Sequence, residues 1–266
     1  LFLKYYLSFP VEYPREVRER VLASFRRGLQ RSLPQSLIEH HPGTLNEFTV
    51  EALASEPAAY AAAALSYLNV EPTVAGVPYA VYDFGGGTTD FDFGFLRWAN
   101  EAEEANGYEQ VFEHLANSGD KFLGGENLIE HMAYQTFQKN LDNLREHRIQ
   151  FTRPMDAGTF SGSEAFLAPT QAAQTNTVML CAKLRPFLEI DKPDLPDQTK
   201  IDLIDVNGEK KLCEMTLDAE ALDALLLKRM QDGVHAFLAD LARIRSELPD
   251  APIHILLSGN GSLESG

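Results

Sequence analysis

Apolar side chains recur along the first third of the chain at spacings that predict both helices and strands. Lys4 to Phe9 is a short apolar run that predicts a strand ended by Pro10. Beyond Pro14, apolar side chains recur at every fourth position, which predicts an amphipathic helix. These residues are Val17, Val21, Phe25 and Leu29. A second helix is expected to begin at Ser55-Glu56-Pro57, with a polar cap followed by proline in the first turn.

The central segment predicts two strands joined by a tight turn. Val77 to Phe84 is an apolar run, and Thr88 to Phe95 alternates aromatic and acidic residues. Between them stand three consecutive glycines, residues 85–87, which force the chain to turn. The pattern is therefore typical of two adjacent buried strands with an unusually small connection.

The second half of the chain predicts alternating helices and strands. The predicted elements are a helix from about Gly124 to Asn140, a helix at 177–188, a hairpin at 200–215 turning at Asn207-Gly208, and a last strand at 253–257. A long helical segment precedes that strand, and we expect Thr216 to cap it and Gly233 to break it. This order of elements indicates an α/β protein.

Composition and charge exclude several classes of protein. The 266 residues include 39 acidic and 23 basic side chains, a formal net charge of −16. Nucleic acids and anionic membranes attract basic surfaces, so neither is an expected partner. Two cysteines, Cys181 and Cys213, do not make a disulfide framework, which favours a reducing, cytoplasmic setting. Because the chain lacks an initiating methionine and opens in an apparent strand, we expect a fragment of a longer protein.

The octet from Asp83 to Asp90 carries the most specific chemistry. Gly85, Gly86 and Gly87 let the backbone approach a ligand and direct its N–H groups toward an anion such as phosphate. Thr88 and Thr89 can add hydroxyl donors, and the flanking Asp83 and Asp90 suggest a cation bound through water, most simply Mg²⁺. The alternative is an ordinary glycine-rich hairpin with two surface acids. No Gly-Lys-Ser/Thr ends the turn, so it is not a Walker loop.

The octet resembles the second phosphate motif of the actin, sugar-kinase and heat-shock ATPase superfamily, and the seventy-kilodalton heat-shock chaperones match best. Four other segments resemble motifs of that family in the same order. They are Ser8-Phe9-Pro10, Ser55-Glu56-Pro57-Ala58-Ala59, Gly119-Asp120 with Leu123-Gly124-Gly125-Glu126, and Ser258-Gly259-Asn260-Gly261-Ser262. Their order and approximate spacing agree with the family along nearly the whole chain.

The resemblance implies roles for the octet and for Glu56. Asp83 and Asp90 would hold hydrated Mg²⁺, and the turn residues 85–88 would cradle the phosphates of ATP or ADP. Glu56 would orient the water that attacks the terminal phosphate, although a helix-capping acid is the alternative for this residue.

The resemblance also implies contacts with the nucleoside. Gly124, Gly125 and Glu126 would lie by the ribose, and Gly259, Asn260 and Gly261 would pass under the nucleoside. Lys183 and Arg185 lie in the segment that resembles the family's adenine-binding helix. That segment departs from the family, with Ala182 for a glutamate and Pro186 for an arginine, and Leu263 replaces another arginine. The base contact is therefore expected to be weakened or rebuilt.

The implied architecture is the ribonuclease-H-like, actin-type ATPase fold, a mixed sheet flanked by helices with a smaller inserted α+β subdomain. Residues 1–72 would close the first lobe, 73–120 and 216–266 would form the core of the second, and 121–215 the inserted subdomain. The first phosphate loop and the peptide-binding domain of the family would lie outside the chain, so the fragment alone should be a poor ATPase.

By the same resemblance, the intact protein would bind ATP with Mg²⁺, hydrolyse it slowly and couple lobe closure to another domain, with protein clients or co-chaperones as partners. Two alternatives stay open. One is a pseudo-ATPase that serves as an interaction scaffold in assembly or virulence-associated secretion, which Pro186 and Leu263 favour. The other is a small-molecule kinase of the superfamily, which is less favoured because no sugar-binding insertion stands out.

Overall fold

The computed structural model describes residues 3–9, 13–40, 43, 47–189 and 196–259. In chain order its elements are β1 (Lys4–Phe9), α1 (Arg15–Ser32), α2 (Gln35–His40), β2 (Thr49–Ser55), α3 (Glu56–Tyr67), β3 (Val77–Phe84), β4 (Thr89–Trp98), α4 (Glu101–Glu104), β5 (Gln110–Asp120), α5 (Gly125–Lys139), α6 (Leu141–Glu146), α7 (Gln171–Glu189), β6 (Gln198–Ile204), β7 (Lys210–Thr216), α8 (Ala219–Ile244) and β8 (His254–Ser258). The order confirms a mixed α/β protein.

The chain divides into two compact units. The first takes its described residues from Leu1–Asp83, Asp90–Gly119 and Ala239–Ser258, and the second from Phe84–Thr89, Asp120–Leu238 and Gly259–Gly266. The three-part division into lobes that the resemblance implies stays a prediction.

A two-stranded parallel sheet opens the first unit. β1 pairs with β2 in register from Lys4 opposite Thr49, and α1 and α2 provide the crossover that parallel neighbours require. The predicted helix after Pro14 is confirmed as α1. None of its residues is buried, and Val17, Val21 and Phe25 are 37%, 38% and 41% exposed. The apolar stripe of this helix is therefore only half covered.

A four-stranded mixed sheet forms the centre of the first unit, in the order β5-β4-β3-β8. β3 and β8 are parallel, whereas β3 and β4 are joined by a four-residue turn that allows only antiparallel pairing. Helix α3 packs on this sheet through small and apolar side chains. The buried cluster comprises Ala61, Leu65, Tyr79, Val81, Leu96 and Leu256.

Helices α5 and α7 and the antiparallel hairpin β6–β7 form the centre of the second unit, which also contains α6 and the part of α8 up to Leu238. The hairpin turns at Gly208, whose φ of 83° suits glycine, as the Asn-Gly pair predicts. Its core joins apolar residues of both helices to the inner face of the hairpin. These include Met132, Phe137, Leu180, Leu184, Leu203 and Met215.

Two expectations for the second half of the chain are wrong. Gly233 does not break the long helix, because α8 runs without interruption from Ala219 to Ile244. A single helical glycine costs only about 1 kcal/mol, which packing along a long helix readily offsets. Thr216 is the last residue of β7, and Asp218 caps α8 by accepting a hydrogen bond from the Ala221 N–H at 3.1 Å.

None of the helices in the described ranges is long and apolar enough to cross a membrane.

Candidate glycine-turn site

The turn between β3 and β4 leaves open space above its backbone. The Gly85 N–H donates to the Thr88 carbonyl at 2.9 Å and closes the turn. Apart from its chain neighbours, a Cβ atom built on Gly86 or Gly87 would have no atom of the described residues within 4 Å, and neither residue has the positive φ that by itself would favour glycine. The space over these two residues is therefore wide enough for a ligand to approach the main chain.

The segment that begins α5 packs directly against this turn within the second unit. A Cβ on Gly124 would lie 2.4 Å from the Gly87 carbonyl carbon and 2.7 Å from the Thr88 nitrogen. Such distances are shorter than any real Cβ contact, so only glycine fits at position 124 without a shift of the backbone. The two glycine-rich motifs seen in the sequence are thus in contact.

Hydrogen bonds hold the two segments together. The N–H groups of Gly125 and Glu126 donate to the carbonyls of Gly85 and Gly86 at 3.1 and 2.7 Å. The Asn127 amide donates to the Gly87 carbonyl at 2.6 Å. The first amides of α5, which usually lack an intrahelical partner, are thereby satisfied inside the protein.

The hydroxyl of Thr89 is used inside the protein. The Thr89 side chain is fully buried, and its hydroxyl donates to the Leu123 carbonyl. That hydrogen is therefore committed to the Leu123 carbonyl rather than available to a phosphate. Thr88, at the edge of the turn, is partly exposed.

Three carboxylates of the first unit influence one another. Glu56 is the first residue of α3, Asp83 lies in β3 and Asp90 in β4. Burial, and then the negative charges of Asp83 and Asp90, raise the pKa of Glu56. Burial also raises the pKa of Asp83, against the opposing effect of a hydrogen bond from Ser258. Asp83 and Asp90 are therefore close enough to Glu56 for their negative charges to act on it. In the described part of the chain no three His, Cys, Asp or Glu side chains are placed to hold a metal ion directly.

The local structure explains why Glu56 is held where it is. Ser55 is the N-cap of α3, and its hydroxyl accepts a hydrogen bond from the Ala58 N–H at 3.3 Å. Pro57 lies in the first turn, where its missing N–H costs nothing. The helix start expected from Ser55-Glu56-Pro57 is confirmed.

Glu126 and Arg185, both proposed from the sequence, are brought together within the second unit. The guanidinium of Arg185 donates to both carboxylate oxygens of Glu126 at 2.8 Å and to Glu189 at 3.1 Å. This pairing lowers the pKa of Glu126. Pro186 follows inside α7 and does not end that helix.

Lys183 lies elsewhere on α7. Residues two positions apart on a helix, such as Lys183 and Arg185, lie on nearly opposite faces. Lys183 lines a groove with Met179 and with Lys200 and Leu212 of the hairpin. Lys183 and Arg185 therefore do not act on the same side of the helix.

The last glycine turn is described only at its start. Gly259 has φ of 86°, a conformation that favours glycine. Asn260 and Gly261 lie outside the described residues, as does Leu263. Neither Ser258 nor Asn127 is predicted as a site residue from the sequence, although Ser258 begins the last glycine turn and Asn127 directly follows Gly124-Gly125-Glu126.

Comparison with known proteins gives a partial similarity. No protein-family model matches the chain. The chaperone protein DnaK of Psychrobacter cryohalolentis is 33% identical over 145 residues, which cover 53% of this chain and 20% of DnaK. The chain thus spans about a fifth of the length of this relative. Over about half of its own length, it is similar to a DnaK chaperone.

Proposed function

We propose that this chain is part of the nucleotide-binding domain of a heat-shock-chaperone-like ATPase with the actin-type fold. In the complete gene product it would bind ATP with Mg²⁺ and hydrolyse it slowly. The observation that carries the proposal is the open turn at Gly86 and Gly87, flanked in the chain by Asp83 and Asp90. The partial similarity to DnaK supports a chaperone relationship.

The turn is suited to phosphate. Gly86 and Gly87 would contact the phosphates through backbone N–H groups and Thr88 through its hydroxyl, whereas the Gly85 N–H closes the turn and Gly85 would only border the phosphates. A side chain on Gly86 or Gly87 would fill the space that a phosphate needs, and the part of the chain that the structure describes leaves that space open. The packing of Gly124 on the turn fixes its backbone, which favours binding because little order must be imposed by the ligand.

The acids fit a divalent cation. The raised pKa values of Glu56 and Asp83 reflect burial and, for Glu56, neighbouring negative charge, which a bound cation would offset. Asp83 and Asp90 would hold Mg²⁺ through its water ligands, in keeping with the preference of this ion for oxygen donors and retained waters. Bound ATP and Mg²⁺ would supply the phosphoryl group and the neutralisation of its charge.

Glu56 would orient the attacking water. Its raised pKa brings it closer to the range in which a carboxylate accepts a proton effectively. Phosphoryl transfer depends mainly on positioning and on charge stabilisation, so an acid fixed at the start of a capped helix suits this role.

The second unit would bind the nucleoside. Glu126 and Gly125 would lie by the ribose, Arg185 by the base, and the turn that begins at Gly259 beneath the nucleoside. Lys183 is not included, because it lines a groove on another face of α7. The lobes, the protein clients and a further domain remain proposals that rest on the resemblance alone, as does a cytoplasmic location.

The test uses the complete gene product. Asp83→Asn and Asp90→Asn should each lower ATP turnover at least about tenfold, since each removes a charge that holds the cation. Asp232→Asn, on the exposed surface of α8, is the matched control and should leave turnover unchanged. Wild-type turnover in both turn variants would contradict the proposal.

One observation favours the pseudo-ATPase alternative. Arg185 is already engaged by Glu126 and Glu189, and Pro186 stands where the family has an arginine, so the base side has fewer available cations. Calorimetry with ATP and Mg²⁺, combined with a turnover assay, separates the two functions. Binding without turnover in the wild-type protein would favour the scaffold.

A further inference from the structure

A carboxylate without exposed surface lies in the middle of the first unit. Asp92, on β4, has no exposed side-chain area. Its Oδ2 accepts a hydrogen bond from the Tyr79 hydroxyl at 3.2 Å, and its Oδ1 lies 2.9 Å from His114 Nδ1. Oδ1 also accepts from the Ser55 hydroxyl at 3.4 Å. One side chain thus connects β3, β5 and the junction of β2 with α3.

A buried carboxylate needs such partners, because burying a charge without compensation is costly. His114 supplies an opposite charge when it is protonated, and the contact with Asp92 raises the pKa of His114. The other ring nitrogen of His114, Nε2, lies 3.2 Å from the Asn117 amide on the same strand. Asp92 is therefore held in place from two neighbouring strands.

Ser55 links this buried group to α3. Its hydroxyl has one hydrogen, which it donates to Asp92, and lone pairs, one of which accepts the Ala58 N–H. Because Asp92 Oδ1 accepts this hydrogen, it fixes the direction of the Ser55 O–H bond and leaves the lone pairs turned to the helix. Hydrogen bonds in such a chain strengthen one another.

We propose that Asp92 is a positioning residue for Glu56: by orienting the Ser55 cap, it fixes the first turn of α3, from which the Glu56 side chain projects. His114 supports Asp92 in this role. The inference rests on the proposed function, in which Glu56 orients the attacking water. The positioning itself concerns only side chains of the first unit, so it can be tested without nucleotide.

The first measurement is hydrogen exchange in the nucleotide-free complete gene product. Ser55→Ala and Asp92→Asn should each speed exchange of the amides in the first turn of α3 about fivefold, the effect of losing a helix cap. Ser55→Thr, which keeps the hydroxyl, should restore slow exchange. Asn100→Ala removes the cap of α4 in the same unit and should leave exchange in α3 unchanged.

The second measurement is steady-state ATP hydrolysis. Ser55→Ala and Asp92→Asn should lower kcat severalfold and leave KM for ATP nearly unchanged, because Glu56 would contact the water rather than the nucleotide. The double variant should be no worse than Asp92→Asn alone, since both act through one cap.

The two proposals fail in distinguishable ways. Exchange at the wild-type rate in Asp92→Asn, or additive effects in the double variant, would overturn the positioning role. A wild-type protein that does not hydrolyse ATP would overturn the proposed function, and the exchange measurement would still decide the role of Asp92. Ser55→Ala changes a partly exposed residue, so the test does not depend on the folding of the Asp92 variant.

Discussion

Asp83 and Ser258 face each other across the parallel strands β3 and β8, and the serine side chain is hydrogen-bonded to the aspartate. Parallel neighbours end at the same edge of a sheet, where ligands of α/β proteins commonly bind. The chain leaves β3 into the turn at Gly85 and leaves β8 into the turn that starts at Gly259. Two glycine turns that are far apart in the sequence therefore start from paired strand ends.

Gly124→Ala should destabilise the protein. The new methyl group would meet the backbone of Gly87 and Thr88 at 2.4 and 2.7 Å, and backbone cannot rotate away as a side chain can. We expect the free energy of unfolding to fall by about 1–3 kcal/mol, as in other overpacked sites. Urea denaturation measures the change.

Gly125→Ala is the matched control for Gly124→Ala. Among the described residues, no atom outside its chain neighbours and its own helix backbone lies within 4 Å of a Cβ at Gly125, and alanine favours the helix that starts there. Equal loss of stability in the two variants would show that the contact between the turns does not determine the effect.

Asp83→Asn should stabilise the protein at neutral pH while it lowers turnover. Burial raises the folded-state pKa of Asp83 above its ordinary value. Between the ordinary and the raised pKa the folded state holds more protons than the unfolded state, so the free energy of unfolding falls as pH rises through that window. Above the raised pKa, Asp83 is ionised in the folded state and its full destabilising effect is present. Asparagine carries no charge, so the variant avoids this loss in the free energy of unfolding.

Thermal unfolding of this variant at about pH 7 and at about pH 3, on either side of the carboxylate range, checks the sign. At the higher pH the unfolding temperature of Asp83→Asn should exceed that of the wild-type protein. At the lower pH the two unfolding temperatures should converge. Glu71→Gln, at an exposed position, should show no such pH-dependent gain. A lower midpoint for Asp83→Asn at neutral pH would contradict the argument.

Arg185→Ala should separate stability from nucleotide binding. The side chains of Arg185 and Glu126 are 37% and 60% exposed, and pairs so exposed contribute about 0–1 kcal/mol. The free energy of unfolding should therefore change little. Loss of a cation beside the base should weaken ATP binding about tenfold. Calorimetry with Lys183→Ala as the comparison tests this, and equal losses in both variants would argue against a specific role for Arg185.

Asn176→Ala should be among the more damaging single substitutions in the second unit. Its side chain is fully buried, donates to the carbonyls of Gln150 and Ile204 at 2.9 and 2.8 Å, and accepts from the Ile204 N–H at 2.7 Å. Alanine would leave these buried groups without the partner, at a cost of about 3 kcal/mol. Chemical denaturation measures it, with the exposed Asn106→Ala as a control that should cost less than about 1 kcal/mol.

Helices, strands and caps that depend on residues close together in the sequence could be predicted from it. The strand Val77–Phe84 and the cap at Ser55 follow from apolar runs and from proline and hydroxyl preferences within a few residues. The prediction that Gly233 breaks the helix is wrong because helix propensity is weak compared with packing along a long helix. Contacts between distant residues, such as Asn176 with Ile204 or Asp92 with His114, have no local signature.

The same distinction applies to the candidate site. The octet from Asp83 to Asp90 was identified because its residues are consecutive, and the open turn agrees with the expected use of its glycines. The sequence did not indicate that Thr89 is committed to Leu123 or that Lys183 and Arg185 face different ways with different partners. Those properties depend on which strand or helix packs against each side chain.

The contact at Gly124 also limits how the gene can vary. Every amino acid that a single base change can put in place of glycine carries a Cβ atom, and each would meet the main chain of Gly87. Because the obstacle is main chain, no change of side chain at position 87 or 88 would remove it. Replacement of this glycine would require the turn itself to move, and the turn is the part of the protein on which the proposed ATPase activity depends.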